Sequence, residues 1–136
     1  MRTTTNERAT RLVDAPPSQV RLLLIDARAI PGWNPAIRAI DGPAEAPTGV
    51  QYAIKVRGGL SGTWEYTRID ERHIDVTWRV PGFLETGTWL LGPHGGGTMV
   101  THQFQHQGPL AHMLSNAFRG VAELRLDRLA QQVTSP

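Results

Sequence analysis

Four side chains of this sequence, Glu85, His102, His106 and Arg68, are of the types that move protons or hold anions. Each lies in a stretch with period-two alternation, the pattern of a strand with one buried face. Val100, His102, Phe104 and His106 share one parity, so both histidines face the same way as two apolar residues. Trp89 and Leu91 likewise share a parity with Gly87 and Glu85. If that side is concave, Glu85 is a carboxylate in an apolar enclosure. Desolvation then favours its neutral form and suits it to general acid or base work. The competing reading is a carboxylate near a strand end, solvated or paired with an arginine. His102, with an unperturbed pKa near neutrality, is an acid–base group or a polar contact for a ligand, or else a hydrogen-bonded interior histidine.

Hairpin geometry brings these groups together. With the turn between their strands centred near Gly95, Glu85 falls level with about Gln105, and its inward neighbours are Phe104 and His106. Glu85 and His106 are the expected direct pair, with His102 beside Trp89. The two histidines stand about 13 Å apart on one strand, too far to share a metal ion. No metal and no cofactor are expected. Arg68 shares a parity with Trp64 and Tyr66; facing inward, it would hold an enolate or carboxylate through two aligned N–H groups. The hydroxyls of Tyr52 and Tyr66 are further polar candidates. Gly95-Gly96-Gly97 lacks the lysine and the helix that a phosphate loop requires.

The elements that must position these groups follow one another in a distinctive order. Glu7 to Asp14 reads as a strand, ended by Ala15-Pro16-Pro17. Val20, Leu23, Leu24 and Ala27 recur at helical spacing, and Ile30 to Pro35 closes that helical stretch. Strands are expected at Ile37–Asp41, Val50–Val56, Thr63–Ile69, Ile74–Val80, Phe83–Leu91 and Thr98–His106, separated by turns rich in glycine, proline and aspartate. On the fourth strand the pattern does not decide whether Trp64, Tyr66 and Arg68 or Thr63, Glu65, Thr67 and Ile69 face inward, and a bulge would alter either reading. A helix opens at Gly108-Pro109, with Leu110, Met113, Leu114, Ala117, Phe118 and Val121 on one face. After Gly120 the apolar stripe moves to Ala122, Leu126, Leu129 and Val133.

The bulk composition excludes several classes of function. A chain of 136 residues fits a single domain, 1–136. It has no cysteine, which removes disulfides, thiolate catalysis and cysteine-held metals. The formal charge is +2, and the arginines run from Arg2 to Arg128 without clustering, so no nucleic-acid partner is expected. Met1 to Arg11 is polar and unlike a secretory signal. No run approaches the roughly 20 apolar residues of a membrane helix. A cytoplasmic protein, monomeric or homodimeric, is the expectation.

Several short motifs carry a family likeness: Asp14-Ala15-Pro16-Pro17-Ser18-Gln19-Val20, Ile25-Asp26 before Trp33-Asn34-Pro35, Trp89-Leu90-Leu91-Gly92-Pro93, Gly97-Thr98-Met99-Val100-Thr101, and Gly108-Pro109-Leu110. In that order the chain resembles the START-related SRPBCC, or helix-grip, superfamily, and within it the small bacterial polyketide cyclase/dehydrase branch. The resemblance implies an α+β fold. A seven-stranded curved antiparallel sheet, with two short helices after the first strand, would grip a long C-terminal helix over a cavity. It also implies a hydrophobic ligand, polyketide-like or lipid-like, which some members cyclise or dehydrate without a cofactor.

The residues placed at such a pocket are Trp33, Tyr52, Ile54, Trp64, Tyr66, Trp89 and Phe104 from the helical pair and the sheet. Met113, Leu114, Ala117 and Phe118 join them from the final helix. Core packing is the competing role for the tryptophans, and the favoured one for Trp78. Three functions remain open: a cyclase or dehydratase using Glu85, His102, His106 or Arg68; a carrier or sensor of an apolar ligand; and a protein-interaction module.

Overall fold

The computed structural model describes residues 3–134. The strands are β1 (Thr3–Val13), β2 (Ile37–Ile40), β3 (Gln51–Val56), β4 (Ser61–Ile69), β5 (His73–Val80), β6 (Phe83–His94) and β7 (Gly97–Gln107). They form one seven-stranded antiparallel sheet in the order β1-β7-β6-β5-β4-β3-β2. This is a meander from β2 to β7, closed on one edge by β1. Helix α1 (Pro17–Ile25), a single 3-10 turn (Ala27–Ala29) and α2 (Ile30–Trp33) connect β1 to β2. The stretch Ile30–Trp33, expected to end the helical region, makes one more helical turn of its own.

The period-two pattern produces the core directly. On β3, Tyr52, Ile54 and Val56 are buried while Gln51, Ala53 and Lys55 are exposed. On β6 and β7, Phe83, Glu85, Gly87, Trp89 and Leu91 face inward opposite His106, Phe104, His102 and Val100. On β4, Trp64 and Tyr66 are the inward pair. The register then slips between Tyr66 and Arg68. One residue, Thr67, is left unmatched, and the parity resets. Arg68 therefore pairs with Asp75 on the outer face, and Ile69 lies opposite the buried Ile74.

The C-terminal region departs from the expected continuous helix starting near Pro109. Helix α3 (Pro109–Met113) stops after little more than a turn, and α4 (Val121–Thr134) begins beyond an irregular segment. Gly120, at φ +80, adopts a backbone region that suits glycine and starts α4 afresh. The Glu7 carboxylate on β1 accepts hydrogen bonds from the N–H groups of Gly120 (2.8 Å) and Ala122 (3.3 Å), capping the new helix from outside. The shift of the apolar stripe at Gly120 is thus the mark of a break. Helix α4 packs its Ala122, Leu126 and Leu129 face against the sheet and α2. No helix among the described residues is long and apolar enough to cross a membrane.

Candidate functional site

Two features share the concave side of the sheet: a buried ionic cluster and an apolar cavity. The cluster is built around Glu85, whose side chain β6 turns into the interior. His106, paired with it across the β6–β7 ladder, donates from Nε2 to its Oε1 at 2.7 Å. Arg125 of α4 reaches down from the other side. Its Nη1 and Nη2 donate to Oε2 (2.8 Å) and Oε1 (2.9 Å) of Glu85, a bidentate pairing. The same Nη1 lies 3.2 Å from Nε2 of His102, and His102 Nδ1 lies 3.0 Å from the Thr88 carbonyl oxygen. A guanidinium only donates, so His102 accepts at Nε2 and donates at Nδ1 to Thr88: it is the neutral tautomer. The Arg125 guanidinium also stands 4.7 Å from the centre of the Phe104 ring.

The electrostatics follow from this wiring. Burial pushes the Glu85 carboxyl up, but the Arg125 charge and the hydrogen bonds from His106 and Arg125 overcome it and hold the group well below the usual carboxylate range. Burial, reinforced by the Arg125 charge, pushes His102 down to about 3 against the weaker opposing pull of Glu85 and Thr88. Glu85 is therefore ionised and His102 neutral near pH 7. The expected Glu85–His106 pair is present, and Trp89 stacks on His102 with ring centres 3.7 Å apart. Arg125 escaped the sequence reading. The available signal was its place in the stripe Ala122, Arg125, Leu126, Leu129, where a cation among buried apolar residues requires a buried anion.

The cavity, of about 360 Å³, lies beside the cluster and is not lined by it. Its walls come from Val56 on β3, Trp78 and Val80 on β5, and Phe83 on β6. Leu110, Leu114, Ala117 and Phe118 cover it from α3 and the irregular segment, and Arg57 and Leu60 border it from the β3–β4 turn. Leu60, Leu114 and Leu124 are each more than a third exposed, which places the opening among them. Phe83 and Phe118 form the partition: both line the cavity, and their rings lie 4.7 Å and 4.3 Å from that of His106.

The other residues named from sequence fall into three groups. Leu114, Ala117 and Phe118 line the cavity, as does Trp78. Trp33, Trp64, Trp89, Tyr66 and Phe104 are almost fully buried in the core instead, as Tyr52 and Ile54 largely are, and none of them lines the cavity. Trp33 meets Trp64 and Trp89 edge-on at 6.2 and 5.1 Å, and the Tyr66 hydroxyl is used by a bond to the Leu24 carbonyl at 2.5 Å. Met113 and Arg68 are corrections. Met113 is 79% exposed, because α3 ends there and the helical stripe that included it is not continued. Arg68 faces solvent and pairs with Asp70 at 2.5 Å, because of the bulge at Thr67. Among the described residues no three His, Asp or Glu side chains are grouped as metal ligands would be.

A family model described as polyketide cyclase / dehydrase and lipid transport matches residues 4–134. The chain belongs to this family. No curated protein matches the sequence. Among solved structures, protein MLL2253 from Mesorhizobium loti is 16% identical with a TM-score of 0.77, covering 96% of this chain and 99% of its own. Truncated norcoclaurine synthase from Thalictrum flavum is 14% identical with a TM-score of 0.72, covering 100% and 98%. DynU16, from the dynemicin biosynthetic locus, is 17% identical with a TM-score of 0.70, covering 96% of this chain and 47% of its own. At these identities the likeness is one of fold, and it is the helix-grip fold: a curved antiparallel sheet closed by a C-terminal helix. In this member of the polyketide cyclase/dehydrase and lipid transport family, the helix is attached to the sheet by the Arg125–Glu85 pair.

Proposed function

We propose that this protein binds a small, mainly apolar molecule in the cavity between the sheet and the segment Leu110–Val121. One observation carries the proposal: an opening in a small domain that is walled by Trp78, Phe83, Phe118 and leucines, with the polar cluster kept behind a partition. Its size is near the lower end of the ~300–1,000 Å³ usual for ligand pockets. Membership of a family described by cyclisation, dehydration and lipid transport supports a hydrophobic cargo of this kind. Biosynthetic proteins such as norcoclaurine synthase use the same fold, which is compatible with catalysis but does not supply it here.

The wiring of the cluster favours a binder or carrier. Both Glu85 oxygens are occupied, and the acceptor nitrogen of His102 is taken by Arg125. Proton transfer from His106 to a bound molecule would require Phe118 to swing away from its ring. The test is a fluorescence titration with the neutral probe N-phenyl-1-naphthylamine. Wild-type protein should bind it saturably, one per chain. Ala117→Trp, at an exposed position of the cavity wall, should weaken binding by roughly tenfold or more through occupancy of the space, a loss of about 1.4 kcal/mol. No saturable binding, or equal binding by the folded variant, would overturn the proposal.

A further inference from the structure

We infer that the molecule held in this cavity carries a carboxylate, and that Arg57 receives it at the mouth; the inference rests on the binding role proposed above. Among the described residues Arg57 is the one charged side chain that lines the cavity, and no aspartate or glutamate lines it. Among the described residues it makes no ion pair, which is equally true of Arg8, Arg38 and Arg79, but of these arginines Arg57 is the one that lines the cavity. Its backbone is fixed, since the N–H donates to the Ala36 carbonyl at 3.1 Å, but its side chain is exposed and uncommitted.

The turn that carries Arg57 leaves the approach to it clear. Gly58 and Gly59 follow with φ +93 and +92, and a Cβ at either position would meet nothing within 4 Å. Leu60, 41% exposed, comes next and lines the cavity as well. The turn therefore presents one cation and one apolar side chain, with no side chain between them, at the border of an apolar hole. An apolar body fits the space by Trp78, Phe83 and Phe118. Among the described lining residues the guanidinium is the one charged partner for a charged end, and its planar fork matches a carboxylate with two parallel N–H bonds. A cationic end would meet Arg57 with like charge. An uncharged apolar molecule would leave the guanidinium in water and gain nothing from it.

The experiment is competition against N-phenyl-1-naphthylamine with two ligands of one chain length, octanoate and octan-1-ol, at pH 8 and low salt. Octanoate should displace the probe from wild-type protein at a concentration roughly fivefold or more below that of octan-1-ol, a margin expected of a partly desolvated, bidentate contact. Arg57→Met keeps the length of the side chain and removes its charge; the ratio of the two displacing concentrations should fall to about one. Arg57→Lys should retain part of the margin, and about 0.5 M salt should shrink it. Equal potency of the two ligands on wild-type protein, or a margin that survives in Arg57→Met, overturns the inference and leaves the cavity as a site for neutral apolar molecules. Absence of saturable probe binding overturns both proposals together.

Discussion

Arg125→Met is the perturbation that tests most severely how the helix is held to the sheet. The guanidinium is buried and supplies Glu85 with two hydrogen bonds, at 2.8 and 2.9 Å, and His102 with a third. Methionine leaves Glu85, only 3% exposed, with His106 as its remaining partner in the cluster. At a separation of about 4 Å and an effective dielectric constant of about 20, a pair of unit charges interacts by about 4 kcal/mol. Removal of one partner from a buried pair costs about 3–5 kcal/mol for the same reason. Against a typical domain stability of ~5–15 kcal/mol this is a large fraction. The assay is urea unfolding at pH 7 followed by tryptophan fluorescence, with midpoints compared at constant slope. Glu85→Gln in the Arg125→Met background removes the orphaned charge, so the double variant should be more stable than Arg125→Met alone. A cost below about 1 kcal/mol for Arg125→Met, or strict additivity of the two substitutions, would refute the account of the cluster.

Two further predictions concern the same surroundings. Stability should fall as pH falls below about 6.5, because the unfolded chain takes up a proton at His102 that the fold, with a pKa of about 3 there, excludes. The slope from this group approaches about 1.4 kcal/mol per pH unit; Glu85, depressed in the fold, adds its own loss below about pH 4.3, the ordinary glutamate value. Urea midpoints for wild type and His102→Gln between pH 7 and 5 check the sign: the variant should lose less, and an equal decline would remove His102 from the explanation. Glu7→Ala should cost about 0.5–2 kcal/mol, the usual range for a lost helix cap, and speed amide exchange at Gly120 and Ala122. Unchanged exchange there would show that Glu7 does not hold the segment closed.

Much of this fold was legible in the alternation of residues. The parity of β6 and β7 put Glu85, His102, His106 and Trp89 on one face, and a turn centred near Gly95 gave their partners to within one position. What parity could not reveal was anything that breaks a period. The bulge at Thr67 turned Arg68 outward without leaving a glycine or proline to announce it. The interruption of the final helix did leave a sign, the displaced stripe at Gly120, but a displaced stripe fits a bend as well as a break. The cavity was the least legible feature. Its walls are drawn from four separated stretches, and the choice among tryptophans depends on which indole the irregular segment covers. Trp78 lines the space, while Trp33, Trp64 and Trp89 pack on one another in the core. Arg125 was missed because its role depends on contact across many residues, although its position in an apolar stripe was itself the clue.

The central claim is that an apolar molecule sits between the Leu110–Val121 segment and the inner face of β3, β5 and β6. Intermolecular nuclear Overhauser effects between N-phenyl-1-naphthylamine and methyl-labelled protein test it most directly. The account predicts cross-peaks to Val56, Val80, Leu110 and Leu114, all of which line the cavity. Cross-peaks confined to Leu12, Leu22 and Leu90, which are exposed and outside the cavity lining, would contradict it.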